Sequence, residues 1–396
     1  MIERPLLPAA TRPVVNGLVS AGVGALVGAL VGSLLLTPGE ARARSSVNVS
    51  GSVYVDDWQL SNKAAARSTA GTLTPDGALK VEVDVHDVLA VSAKGCFSCH
   101  GLEMEHISLE YTPRPYFNVS AGRVVVPFGE YSNRVDSSSH TTPDAPLVFD
   151  MGRMPYYGST GFNEGVVMLP YVDTGIVAYG QTWLGQRVQA WYGGYAVAGL
   201  RGSNDLDFVS MRSAYYTDNN TVPAGGGRLA LTYSQQDPSS WMGDVSIGGS
   251  YTGGRYDSAG ALGYHAWGAD AQARLGPVTL RGEYAARRTD IDTNASGYRF
   301  IIVDPHFDKR GWYLEAESPL GRWVKGVARL DLLERRGIPT PGMLEAIGPD
   351  ARMTRYTAGA MVTPVSAFYV KGAYEYWRIK DIADVHSIHV GAGASF

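Results

Sequence analysis

The chain is 396 residues long, carries a formal net charge of −4 and has only 18% charged residues. It shows neither a basic patch typical of nucleic-acid binding nor a long charge run typical of a disordered tail. Its 48 glycines and 23 tyrosines are high for a helical enzyme. It also lacks the G-x-S-x-G, H-E-x-x-H and P-loop motifs. The sequence therefore gives no support to a hydrolase or transferase.

The N-terminus predicts export. Two arginines precede an apolar stretch over residues 14–36, residues 38–40 (Pro-Gly-Glu) break it, and Ala41-Arg42-Ala43 supplies an A-x-A cleavage site. The stretch is long enough for a transmembrane anchor, but its glycine content and the cleavage site favour a removed signal peptide. We therefore predict a signal peptide over residues 1–43 and an outer-membrane β-barrel over residues 44–396.

The mature chain reads as a series of alternating strands. In residues 278–284, Arg281 and Glu283 fall between apolar positions, and charged side chains on one face suit a water-filled barrel better than a dry sandwich or lipocalin-like core. Glu315 and Glu317 alternate in the same way and are interpreted as pore lining. The predicted strands are 47–58, 79–85, 88–95, 103–112, 115–129, 166–183, 187–199, 225–235, 244–256, 264–275, 278–290, 311–319, 323–336, 352–364, 367–381 and 386–396.

The predicted fold is therefore an all-β, antiparallel transmembrane barrel of sixteen strands. Fourteen strands result if residues 79–93 form one strand and residues 47–58 lie outside the wall. Short turns and long loops alternate along the chain, and outer-membrane barrels place short turns in the periplasm and long loops outside. By this count residues 96–101 lie at the extracellular mouth.

The chain has two cysteines, and they form the sequence Cys96-Phe97-Ser98-Cys99-His100. This is C-x-x-C-H, the attachment motif of a c-type haem, in which two thiols bind the haem covalently and the histidine binds the iron. A redox dithiol normally occurs in a βαβ context, and zinc needs two further ligands. A small disulfide loop remains the simpler alternative. The motif predicts one haem c on Cys96 and Cys99, with His100 as the proximal ligand, in a haem-binding loop over residues 94–106.

A distal iron ligand is harder to assign. Met104 and His106 share a strand face predicted to point into the lumen, but both are close in sequence to His100. His140, in a long loop over residues 132–165, is the better candidate for a distal ligand, with Met151 and Met154 behind it. A five-coordinate iron is the alternative.

Residues 107–131 resemble phosphate-selective porins and their relatives, in which a strand ends in a Gly-Arg…Pro-Phe-Gly element before a long loop. Here that element is Gly122-Arg123 followed by Pro127-Phe128-Gly129. The resemblance implies a sixteen-stranded porin barrel. It does not extend to phosphate, because the family's lysine-rich ladder is not visible and the predicted lumen charges are mixed.

The combination of a single haem motif and a barrel is similar to fused cytochrome–porin iron oxidases. That resemblance implies electron transfer across the outer membrane from an extracellular donor such as Fe(II). Because the strand wall spans a hydrocarbon core ~25 Å tall, too thick for one centre to bridge, such transfer also requires a partner, a periplasmic c-type cytochrome or another electron carrier. Here, however, the motif lies between barrel strands instead of in a separate N-terminal domain. The alternative function is a general diffusion porin for small solutes, with a structural disulfide or a non-conducting haem.

Overall fold

A computed structural model describes residues 46–62, 71, 73–98, 101–150, 153–155, 165–167, 169–202, 218–237, 240–290, 300–301, 306–336, 338–339, 350–380 and 384–396. Within them, sixteen antiparallel strands form a closed barrel. The wall strands are β1 (Ser46–Leu60), β2 (Leu73–His86), β3 (Leu89–Ser98), β4 (Gly101–Arg114), β5 (Phe117–Val125), β6 (Val172–Leu184), β7 (Val188–Val197), β8 (Ala224–Tyr233), β9 (Met242–Arg255), β10 (Gly263–Leu275), β11 (Val278–Asp290), β13 (His306–Pro319), β14 (Val324–Arg336), β16 (Asp350–Val365), β17 (Phe368–Ile379) and β18 (Val385–Ser395). Two short strands, β12 (Phe300–Ile301) and β15 (Ile338–Pro339), pair with each other in a separate sheet. No helix among the described residues is long and apolar enough to cross a membrane.

The first and last strands close the barrel. β1 pairs with β18 from Ser52↔Ser395 to Leu60↔Ser387, so the segment predicted as strand 47–58 belongs to the wall. His86 pairs with Leu89 around the short turn between β2 and β3. Both observations confirm the sixteen-strand count and exclude the fourteen-strand alternative. The predicted signal peptide, residues 1–43, lies outside the described residues.

The connections fall into two classes. Residues 87–88, 115–116, 185–187, 276–277 and 366–367 join strands at one end, and the much longer connections 126–171, 198–223 and 291–305 lie at the other. Long connections mark the extracellular side of outer-membrane barrels. Ser98, the last residue of β3, and Gly101, the first residue of β4, lie at this extracellular end.

A β-bulge changes the face of Met104. The register between β3 and β4 shifts between Lys94, which pairs with His106, and Gly95, which pairs with Met104. Met104 is therefore 41% exposed on the outside of the wall, and the prediction that it faces the lumen is wrong. Residues 94–98 and 101–106 are strand, so these parts of the predicted haem-binding loop over residues 94–106 belong to the wall. Cys99 and His100 lie outside the described residues.

Apolar and polar side chains alternate across the wall as a membrane barrel requires. Leu280 and Tyr284 are exposed on the outside, whereas Glu283 is buried on the inside. Exposed aromatic residues gather near both ends of the wall, as in the interfacial girdles of transmembrane barrels. They are Tyr251, Trp267, Tyr284, Tyr356 and Tyr374 towards the extracellular end, and Trp183, Trp241, Trp323, Phe368 and Phe396 towards the periplasmic end.

The described part of the connection between β5 and β6 folds inward, and we name its residues 126–150, 153–155, 165–167 and 169–171 the inner loop. Phe128, Leu147 and Phe149 are at most 1% exposed. Phe149 stacks on Tyr131 with ring centroids 5.9 Å apart, and Tyr313 of β13 meets both rings edge-on. The apolar core of the barrel therefore lies between the inner loop and the wall.

Candidate functional site

The inner loop begins with a glycine held against a wall carboxylate. Gly129 has a φ of +71°, a conformation that glycine adopts without steric cost. A Cβ there would lie 2.5 Å from Glu283 Oε2. Glu283 accepts hydrogen bonds from the backbone N–H groups of Glu130 (2.9 Å) and Tyr131 (2.7 Å) and from the Tyr313 hydroxyl (2.7 Å). One buried carboxylate thus fixes the direction in which the loop enters the lumen.

Two wall arginines hold the middle of the inner loop. Arg355 donates to the Ala145 carbonyl at 2.6 Å and Arg329 donates to the same oxygen at 3.3 Å. Asp331 lies between the two guanidinium groups at 3.0 and 3.1 Å and accepts a hydrogen bond from the Leu147 N–H at 2.9 Å. Because these charges are buried and paired on both sides, removing one partner leaves another uncompensated.

A buried acidic cluster lies beside these arginines. Ligand atoms of Asp144, Glu375 and His389 lie within 4.8 Å of one another, a grouping that could hold a metal ion. Arg355, however, lies 3.5 Å from Asp144 and 3.4 Å from Glu375, and Arg153 lies 3.8 Å from Asp144. These guanidinium groups already supply the positive charge that a metal ion would bring to the carboxylates. We therefore interpret the cluster as an anchor that ties the inner loop to the wall.

On the opposite side, one lysine joins the wall to the loop. Lys94 of β3 donates to Glu105 of β4 at 2.9 Å and to Asp136 of the inner loop at 2.5 Å. Lys94 and Glu105 are 8% and 7% exposed. This contact spans the gap between the inner loop and the β3–β4 wall.

One lumenal space is a vestibule on the periplasmic side, lined by the lower halves of β2 to β9 and by the inner loop. Its volume is about 670 Å³, within the range of pockets that accept small molecules. Its ionisable lining is four acids (Glu82, Asp84, Glu110 and Glu130), two bases (Lys80 and Arg228) and His106. Within this lining Lys80 pairs with Glu82, while Arg228 and Glu130 pair with Asp270 and Arg134 outside it. The acidic excess of the vestibule therefore rests on Asp84 and Glu110.

A smaller cavity of about 190 Å³ lies on the extracellular side of the Lys94 contact, and it brings Cys96 and His140 to one space. Cys96 is 8% exposed and faces inward from β3. Cys99 and His100 lie outside the described residues. The structure thus brings together two of the predicted haem residues, from β3 and the inner loop.

His140 is oriented by the backbone. Its Nδ1 lies 2.7 Å from the Thr142 carbonyl oxygen, so Nδ1–H is the donor and Nε2 keeps its lone pair. Burial, with the nearby charge of Lys371, holds the pKa of His140 well below its usual value of 6.5. The ring is therefore neutral at pH 7, the form in which imidazole binds metals. Of the methionines predicted behind it, Met154 is fully buried in the core and Met151 lies outside the described residues.

Sequence reasoning identified the wall charges but not their partners. It assigned no role to His389, which is fully buried between Asp56 and Asp144 at 3.1 and 3.0 Å. Strand parity does signal that His389 faces the lumen, because Ile388 and Val390 face out. No local pattern links it to residues more than 200 positions away.

Comparison with known proteins identifies the fold. Neither a family model nor a curated protein matches the sequence. Among solved structures, OmpF of Salmonella typhi in complex with daunomycin superposes with a TM-score of 0.55 at 11% identity over 88% of this chain and 97% of that one. The anion-selective porin from Comamonas acidovorans gives 0.54 at 14% identity over 89% and 100%. The trimer form of OmpT from Vibrio cholerae gives 0.51 at 12% identity over 89% and 99%.

The protein is therefore a porin-type β-barrel of the bacterial outer membrane. The similarity concerns the fold alone at these identities. Neither the phosphate-selective type nor a haem motif gains support from these neighbours.

Proposed function

We propose that the protein is a diffusion channel for small polar solutes. The observation that carries this proposal is the polar vestibule of about 670 Å³ inside a closed barrel, narrowed by an inner loop that contacts the wall on both sides. Wall charges that are paired with the loop hold it in place, so the channel keeps a fixed narrow section. A channel of this kind passes ions and small hydrophilic molecules and excludes folded proteins.

The vestibule favours cations. Four carboxylates against two basic residues line it, and an excess of one charge in a cleft raises the local concentration of the opposite ion. Glu110 accepts hydrogen bonds from Ser108 at 2.6 Å and Ser120 at 2.8 Å, which hold its carboxyl group in place. This lining argues against phosphate as the preferred solute.

Planar bilayers test the channel directly. The purified barrel should give stepwise conductance in KCl, and its reversal potential in a salt gradient should indicate cation preference. A barrel that inserts, shown by its heat-modifiable mobility, but conducts nothing would overturn the channel proposal. A preference for anions would overturn the proposed cation selectivity of the vestibule but not the channel proposal.

We further propose that Cys96 and Cys99 hold one haem c, with His100 on the iron and His140 as the candidate distal ligand. Two features support this: the C-x-x-C-H spacing, and the shared cavity of Cys96 and His140 at the extracellular end. The cavity of about 190 Å³ is smaller than pockets that enclose drug-sized ligands, roughly 300–1,000 Å³. A haem attached there would therefore extend beyond the cavity towards the extracellular end of β3.

When bound, such a group would supply one-electron redox chemistry. The chain's own contribution is the neutral His140 imidazole, held by Thr142. The thiols of Cys96 and Cys99 would anchor the group to the wall. The competing assignment is a disulfide between the two thiols.

Absorption spectra separate the two assignments. Protein produced with haem-maturation machinery should show c-type bands after denaturation and reduction, and a Cys96→Ala, Cys99→Ala variant should lose them while keeping its heat-modifiable mobility. Wild type without bands, together with a mass two hydrogens lower than the reduced form, would establish the disulfide. The channel proposal is independent of either result.

The haem proposal leads to an electron-transfer proposal with a periplasmic c-type cytochrome or another carrier as partner, and an extracellular donor such as Fe(II). The apolar band of such a barrel is ~25 Å tall, too thick for one centre at the rim to bridge. A cytochrome domain has a radius of gyration of roughly 13 Å and does not fit the vestibule, so transfer to a partner docked at the periplasmic end would require the haem to be carried inward from the rim. Proteoliposomes with external Fe(II) and an enclosed cytochrome test this, and transfer equal to that of the cysteine-free barrel would contradict it.

A further inference from the structure

An indole ring lies against the wall of the vestibule. Trp191 of β7 lines this space, whereas its neighbour Tyr192 is exposed on the outside of the barrel. The Trp191 Cη2 atom would lie 2.8 Å from a Cβ added to Gly193, so the distal end of the ring overlies that glycine. Ala230, the cross-strand partner of Trp191 on β8, is also small. The ring therefore leans along the wall and turns its exposed part to the vestibule.

A second aromatic ring and a carboxylate continue this surface. Tyr179 of β6 pairs with Gly193, and its Cβ would lie 3.4 Å from the same added atom. The Tyr179 hydroxyl donates to Glu110 Oε2 at 3.5 Å. All three side chains line the vestibule, and we name Trp191, Tyr179 and Glu110 the aromatic–acid patch.

The carboxylate of this patch is held by hydroxyl groups. Glu110 accepts hydrogen bonds from Ser108 at 2.6 Å and from Ser120 at 2.8 Å, besides the one from Tyr179. Within the part of the chain that the structure describes, no lysine or arginine forms an ion pair with Glu110. Hydroxyl groups orient a carboxylate without supplying a positive charge, so a cation from outside the chain can add to these contacts.

The two basic side chains of the vestibule lining are compensated by other acids. Arg228 lies beside the patch in the β7–β8 pairing, but it donates to Asp270 at 2.9 Å and to Ser250 at 3.2 Å. These partners belong to β10 and β9, so the guanidinium group points away from β7. Lys80 pairs with Glu82 at 2.7 Å. Neither base therefore neutralises the carboxylate of the patch.

We propose that the aromatic–acid patch binds small organic cations that carry a methylated ammonium group. A cation over an aromatic face is attracted by the quadrupole of the ring, most strongly over tryptophan, and quaternary ammonium groups are recognised in this way. A carboxylate beside the rings attracts the same charge. The methyl groups also remove apolar surface from water against the indole, which a hydrated potassium ion does not do. The inference rests on the channel proposal, since it names the class of solute that the vestibule would admit.

Binding of choline to the purified barrel tests the proposal. Saturation-transfer NMR of the folded barrel in detergent at low salt would titrate choline and its neutral isostere, in which carbon replaces the nitrogen. Wild type should bind choline more tightly than the isostere. The Trp191→Leu and Glu110→Gln variants should each bind choline roughly three- to tenfold more weakly, from the lost cation–π contact and the lost charge respectively. Trp191→Tyr keeps an aromatic face and should lose less than Trp191→Leu.

The matched control is Trp267→Leu. It makes the same side-chain change as Trp191→Leu, but Trp267 is 43% exposed on the outside of the wall. Its affinity for choline should stay within about twofold of wild type. Heat-modifiable mobility shows whether each variant folds, and Glu110→Gln tests the patch independently if Trp191→Leu does not fold.

Several outcomes would overturn the inference. Equal binding of choline and its neutral isostere, or no binding of either, would show that the patch does not select an organic cation. Unchanged binding by the folded patch variants would place the cation elsewhere, and equal weakening by Trp267→Leu would place it outside the lumen. These measurements do not require conduction. A barrel that conducts KCl but does not bind choline would contradict this inference alone, whereas one that binds choline without conducting would contradict the channel proposal alone.

Discussion

Lys94 Nζ on the barrel wall lies 2.5 Å from Asp136 Oδ1 on the inner loop. Glu105 and Asp136 line the extracellular cavity, whereas Ser132 and Asn133, a few residues earlier in the inner loop, line the periplasmic vestibule. The contact therefore lies where the two lumenal spaces approach each other. Its two charges close the gap through which a solute would pass along the β3–β4 wall.

Breaking this contact should widen the channel. We expect Asp136→Asn to raise the single-channel conductance by roughly one half or more, because the inner loop loses its ion pair with Lys94 of β3. Lys94 would keep Glu105 as its partner and stay on the wall. Conductance in planar bilayers at 1 M KCl measures the effect with surface charge screened.

Lys80→Met is the matched control for this experiment. Lys80 lies on the neighbouring strand and pairs with Glu82 at 2.7 Å, so its loss removes charge without touching the inner loop. At 1 M KCl its conductance should equal that of wild type. A conductance of Asp136→Asn no larger than that of Lys80→Met would exclude the contact as part of the narrow section.

Gly129→Ala should release the start of the inner loop. The left-handed backbone costs an alanine roughly 1–2 kcal/mol, and the new Cβ displaces the Glu283 carboxylate from hydrogen bonds worth about 1.5–3 kcal/mol. We expect faster proteolysis within the inner loop and a lower urea midpoint of unfolding.

The Gly185→Ala variant separates the cost of the left-handed backbone from the cost of displacing the Glu283 carboxylate. Gly185 has a φ of +79° in a short turn, but nothing lies within 4 Å of its missing Cβ. This variant carries only the backbone cost and should leave the proteolysis of the inner loop unchanged. If both variants release the loop equally, the contact with Glu283 does not hold it.

The direction in which each wall side chain points is predictable from the sequence, because it follows from the alternation of neighbouring residues along a strand. Alternation at Leu280, Arg281, Glu283 and Tyr284 assigns each side chain to lipid or lumen, and the structure confirms all four. Met104 shows the limit of that rule: one bulged residue between Lys94 and Gly95 reverses the parity of the adjoining strand end. A bulge inserts a residue without a distinctive sequence pattern.

The lumen is less predictable because its contacts join distant segments. Arg355 meets Ala145 across 210 positions, and Glu283 meets Tyr131 across 152. The sequence predicted that Glu283 faces the lumen but not that a loop fills the space before it. The proximity of Cys96 and His140 was expected only from the chemistry of haem ligation.

Charge at the vestibule should set ion preference. Glu110→Gln keeps the size of the side chain and some of its hydrogen bonds with Ser108 and Ser120 but removes one of four lining carboxylates. We expect the reversal potential in a tenfold KCl gradient to shift towards the anion side, and to shift further when Asp84→Asn is added. An unchanged potential in the double variant would place the selective section outside the vestibule.

His140 should make the attachment of the inner loop sensitive to acid. Because burial lowers its folded-state pKa well below 6.5, the unfolded chain binds the extra proton first as the pH falls. The contribution of His140 to the free energy of unfolding is therefore complete above pH 6.5 and falls by about 1.4 kcal/mol for each pH unit below it, until the folded-state pKa is reached.

The urea midpoint of wild type should thus fall more between pH 7.5 and pH 5 than that of His140→Gln, which cannot titrate. Because the other titrating groups are common to both proteins, the comparison isolates His140. Parallel changes in the two midpoints would show that the imidazole is already protonated, or is solvated, in the folded barrel.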